Sequence, residues 1–78
     1  MHNPFYDKEK EEELLQLIDT ISVKIKNNPD VAEYYYSRAL QYYQLSQQYY
    51  DILEIFDGIG DKKKYFKYVN KTYNDVNK

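Results

Sequence analysis

Apolar residues in the first third of the chain fall at Leu14, Ile18, Ile21 and Ile25, in steps of four, three and four. That spacing draws one stripe along a helix, and Leu15, Leu17 and Val23 widen it. Asp7 and the acidic residues Glu9, Glu11, Glu12 and Glu13 precede the stripe, and Lys24 and Lys26 follow it. This is the polarity that a helix macrodipole favours. Asn27-Asn28-Pro29 then stops the run, because a residue before proline is pushed out of the α region. A first helix is predicted over residues 7–26.

Asp30, with Glu33 three residues on, makes a capping-box-like start for a second helix over 30–45. Its inward face is read as Tyr35, Ala39, Tyr42 and Leu45. The polar Ser46-Gln47-Gln48 reads as a joint, after which Tyr49, Ile52, Leu53, Phe56 and Ile59 mark a third stripe over 48–58. Gly58-Ile59-Gly60-Asp61 closes it, since glycine accepts the left-handed conformation at a helix end. In the tail, Tyr65, Phe66, Val69 and Tyr73 share a helical face and predict a fourth helix over 61–74, with Lys63, Lys64, Lys67 and Lys71 outward. No segment alternates polar and β-branched residues as a strand would. The fold class expected is all-α: one domain over 1–78, a small three- to four-helix bundle of antiparallel helices joined by short loops.

Length and composition narrow the chemistry. At 78 residues a core rarely supplies more than about 3–5 kcal/mol without a staple. The chain has no cysteine and a single histidine, His2, so neither a disulfide nor a zinc cluster is expected. A formal net charge of −2 gives no global field for nucleic acid or anionic lipid. Residues 1–7 show no basic region followed by an apolar run, and no 18-residue apolar stretch occurs. A cytoplasmic protein with no membrane role is the expectation.

An enzyme is not expected. His2 stands alone, Ser22, Ser37 and Ser46 have no nearby imidazole, and carboxylate pairs such as Asp51 and Glu54 lack further ligands, so no catalytic residue, metal or cofactor is assigned. "DGIGD" follows a helix rather than a strand, which makes it a cap rather than a phosphate loop.

The stretch "NPDVAEYYYSRALQYYQLS", residues 28–46, resembles the first helix of a tetratricopeptide repeat (TPR). Tyr35 falls where that repeat has Trp or Tyr, Ala39 on its small position, Tyr42 on its tyrosine and Pro29 on the proline ending the preceding unit. Residues 32–52 are also similar to repeats of Rap-type peptide-responsive regulators of Gram-positive bacteria. The joint is one residue longer than the standard unit, and Ile52 and Ile59 stand where alanine is usual. The resemblance implies a TPR-like helical hairpin with flanking helices, about one and a half repeats where solenoids need three or more. Such a chain dimerises, docks on something larger, or is a bundle that resembles the repeat locally.

Of the eleven tyrosines, Tyr35 and Tyr42 are read as filling the seam between helices and Tyr34, Tyr36 and Tyr43 as pointing elsewhere; core and boundary packing is one role for such rings, and surplus exposed ones are what interfaces favour. The leading reading is a protein–protein interaction module, an adaptor or inhibitor, that holds a protein or peptide through Tyr36, Arg38, Tyr43 and Tyr50. Arg38, the only arginine, suits a bidentate grip on a carboxylate, against an ordinary ion pair with Glu33 or Glu54. Homodimerisation is the second partner expectation. The alternative is a nucleic-acid-binding accessory protein using Lys63, Lys64, Lys67 and Lys71 beside aromatic rings.

Overall fold

A computed structural model describes residues 7–56 and 62–78, of which 50–56 and 62 by backbone alone. The described residues form three helices, α1 (Lys8–Asn27), α2 (Ala32–Phe56) and α3 (Lys62–Val76), with no strand among them. The expected glycine cap at Gly58–Asp61 lies outside the described residues, as do Ile59 and the side chains of Ile52, Leu53 and Phe56.

Asp7 caps α1. Its backbone is extended (φ −118°, ψ 107°), which leaves the carboxylate free to accept from the Lys10 N–H at 3.1 Å. At the other end Asn28 stands outside the α region (φ −141°, ψ 73°), as the following Pro29 requires, and its N–H still donates to the Lys24 carbonyl at 2.8 Å. The Tyr35 hydroxyl donates to the Pro29 carbonyl at 3.0 Å, tying the turn to the next helix. That helix starts at Ala32, so Asp30 lies in the turn rather than at the cap position expected of it.

The joint expected at Ser46–Gln48 is instead the middle of one continuous helix, Ala32–Phe56. Neither glycine nor proline interrupts this run, and glutamine is a good helix former. Ser46, which tends to compete with helix by local hydrogen bonding, satisfies its hydroxyl within the helix by donating to the Tyr43 carbonyl at 2.6 Å. Gln48 contributes to packing, its side-chain oxygen accepting from the Asp7 N–H at 3.4 Å.

The stripe of α1 is buried as its spacing predicts, at Leu14, Ile18, Ile21 and Ile25. Leu14 and Ile18 join Leu45 and Tyr49 of α2 and Tyr68 of α3 in the main core, with Tyr42 and Tyr65 packed against it. Glu11 meets Tyr49 while Lys24 meets Tyr34, and Tyr49 meets Tyr68 while Arg38 meets Asp75.

The face that α3 buries differs from expectation. Tyr68 and Asp75 are buried, Tyr65 and Val69 are half-buried, and Phe66 and Tyr73 are exposed. Tyr68 is held between Tyr42 and Tyr49, with ring centroids 6.2 and 6.0 Å away, and Asp75 is held by Arg38. Those two anchors lie two turns apart on one side of the helix and set its rotation. Both outer helices pack on α2, yet no Cα atoms of α1 and α3 approach within 8 Å. The molecule measures 42 × 23 × 14 Å, with α2 as its spine.

Candidate functional site

Two features stand out, a charged knot joining all three helices and an apolar furrow on the opposite side of α2. In the knot, Arg38 Nε donates to Asp75 Oδ2 at 2.8 Å and its terminal nitrogen to Oδ1 at 2.7 Å, while the other terminal nitrogen donates to the Ser22 hydroxyl at 3.1 Å. This is the planar two-bond geometry that guanidinium and carboxylate share. Asp75 is only 4% exposed and Arg38 19% at the side chain. The hydrogen bonds it donates to Asp75 raise the Arg38 pKa above its ordinary value, with burial opposing. The bidentate grip anticipated for Arg38 is therefore made, but on this chain's own Asp75, and the guanidinium is committed to joining the helices.

Tyrosine and lysine line the remaining α2–α3 seam. Lys64 lies over the Tyr49 ring at 5.5 Å, Lys67 over Tyr68 at 5.5 Å and Lys71 over Tyr42 at 5.4 Å. Burial pushes the Tyr42 and Tyr68 hydroxyls above the ordinary phenol range; nearby Arg38 opposes this at Tyr42, and Glu11 adds to it at Tyr68. The Tyr49 hydroxyl donates to the Glu11 carboxylate. Of the four lysines expected to form a basic surface, Lys63, Lys64 and Lys67 are exposed and Lys71 is half-buried, and the last three lie over rings whose faces are partly occupied by one another. Stacking platforms for bases need open ring faces, and Tyr68 and Tyr49 are buried.

The furrow runs along the side of α2 that α1 does not cover. One stretch, of about 390 Å³, is lined by Tyr36, Ala39, Leu40, Tyr43, Thr72 and Val76. Its continuation, about 270 Å³, shares Tyr43 and Thr72 and extends past Ser46 to Val69 and Tyr73. The small residues Ala39 and Ser46 are buried in its floor. The floor hydroxyls are already satisfied, Ser46 by the Tyr43 carbonyl and Thr72 by the Tyr68 carbonyl at 2.8 Å. What faces the solvent is therefore apolar: Tyr36, Leu40, Tyr43, Tyr73 and Val76 are between 46% and 63% exposed.

Sequence reasoning places Tyr36 and Tyr43 as partner-facing, and both stand on this furrow, whereas Arg38 stands in the knot. The Tyr50 side chain lies outside the described residues. Leu40, Tyr73 and Val76 were missed. Their signal is a spacing of four and three, 36–40–43 on α2 and 66–69–73–76 on α3, which marks a second apolar seam on helices already given an inward face. Among the described residues no group of three or more His, Cys, Asp or Glu is placed to hold a metal ion, and no helix is long and apolar enough to cross a membrane. No protein-family model, curated protein or solved structure matches the chain.

Proposed function

We propose that this chain is a small protein–protein interaction module, an adaptor or an inhibitor rather than an enzyme, built as an antiparallel helical hairpin with a flanking helix. The observation that carries the reading is the furrow: large side chains half exposed along two helices over a floor whose polar groups are already paired. A contiguous apolar surface of that kind is costly to leave in water and marks interaction sites. Tyrosine suits the task, giving a rigid ring with few rotamers to immobilise and a hydroxyl that stays wet at the rim. The resemblance to a tetratricopeptide repeat is compatible with such a role and forms part of the proposal. The nucleic-acid alternative receives less support, because Lys64, Lys67 and Lys71 cover rings of the core seam.

The test is a pull-down with the tagged chain, repeated after nuclease treatment and at raised salt, with two sets of variants. Tyr36→Ala with Tyr43→Ala is expected to abolish capture of a protein partner, with the far-UV circular dichroism unchanged. Charge reversal at Lys63, Lys64 and Lys67 is expected to leave it intact. Capture that disappears with nuclease, or with the lysine variants alone, would transfer the site to α3.

A further inference from the structure

From the same furrow we infer a specific occupant: a second copy of this chain, packed face to face so that α2 and α3 of each copy form a four-helix core. The inference rests on the interaction reading and adds the partner. Three observations point to it.

The first is spacing. Tyr36, Leu40 and Tyr43 on α2 follow steps of four and three, and Phe66, Val69, Tyr73 and Val76 on α3 follow three, four and three. Steps that alternate in this way draw a seam that packs helix against helix. Two such seams side by side, over a floor of Ala39 and Ser46, present half of a helical bundle with the other half absent. Ridges of Tyr36, Leu40 and Tyr43 match the furrow of an identical molecule because each copy offers both shapes, as a two-fold interface requires.

The second is area. Tyr36, Tyr43, Phe66 and Tyr73 are each at least half exposed, as is Leu40, and Val76 nearly so. With a whole aromatic residue offering about 150–250 Å², the patch carries on the order of 500 Å². A stable interface buries about 800 Å² per partner, so this patch with its polar rim is of the size that a dimer needs.

The third is charge. None of the residues lining the furrow is charged, so two copies can meet across it without burying an unpaired charge or bringing like charges together.

Sedimentation equilibrium over a range of concentrations tests the inference. The wild type is expected to reach twice the 9.5 kDa of one chain. Leu40→Glu and Tyr73→Glu, both at exposed positions, are expected to weaken association about tenfold or more without loss of helical circular dichroism. Val23→Glu, on the exposed face of α1, is expected to change nothing. A 9.5 kDa species at every concentration, or a dimer indifferent to both furrow substitutions, overturns the inference. Running Leu40→Glu in the pull-down separates the two levels. A monomeric wild type whose capture is lost in this variant overturns self-association and keeps the interaction reading, whereas unchanged capture overturns both.

Discussion

Arg38 touches all three helices, through its own place on α2, the Asp75 carboxylate on α3 and the Ser22 hydroxyl on α1. A pair this enclosed gains little over a well-packed apolar pair, but removing one member strands the other without solvent. Arg38→Ala or Asp75→Asn should therefore lower stability by about 3 kcal/mol in urea titrations, and Arg38→Met with Asp75→Leu should recover most of it. Two single variants within about 0.5 kcal/mol of wild type would show that the knot bears no load. The chemistry of Arg38 was legible in the sequence, where a lone arginine on an aromatic helix asks for a carboxylate. Its partner was not, because Asp75 lies 37 positions away and only the fold brings them together.

Among the elements, α1 was readable almost to the residue, since Leu and Ile with flanking charges leave one choice of inward face. α3 was not. Tyrosine is at home on either side of a boundary, so Tyr65, Tyr68 and Tyr73 with Phe66 allow several rotations of the same helix, and the contacts of Tyr68 and Asp75 decide among them. The middle of α2 was misjudged for a related reason: three polar residues signal a break only if something forbids helix there, and Ser46-Gln47-Gln48 contains no such residue. Gln47→Pro tests the continuity of α2. Proline inside a helix removes a hydrogen bond and clashes with the preceding turn, so a loss of about 3 kcal/mol or more and a drop in far-UV ellipticity are expected. A joint between two helices would accept the same change with little loss.

For the whole molecule, the buried phenols make stability depend on alkali. Tyr42 and Tyr68 have raised pKa values when folded, chiefly through burial, so the folded chain keeps protons that the unfolded chain releases above about pH 10. Their contribution is fully present below that pH and is lost as pH rises towards the folded values. The urea midpoint should be flat near pH 8–9 and fall beyond about 10. Tyr42→Phe with Tyr68→Phe should flatten the decline; an equally steep fall in the double variant would place its origin elsewhere.

The position of α2 between two helices that do not approach each other also governs how the chain assembles. Close packing joins only neighbours in sequence, α1 with α2 and α2 with α3, so no long loop must close before contacts form, which is the condition for rapid folding. The Arg38 guanidinium meets Asp75 and Ser22 only when all three helices are in place, so we expect that pair to close after the helices have packed. Interactions absent from a transition state set the rate of escape rather than the rate of arrival. Stopped-flow kinetics of Asp75→Asn should accordingly show faster unfolding with refolding nearly unchanged, making the charged knot a latch on a structure that forms without it.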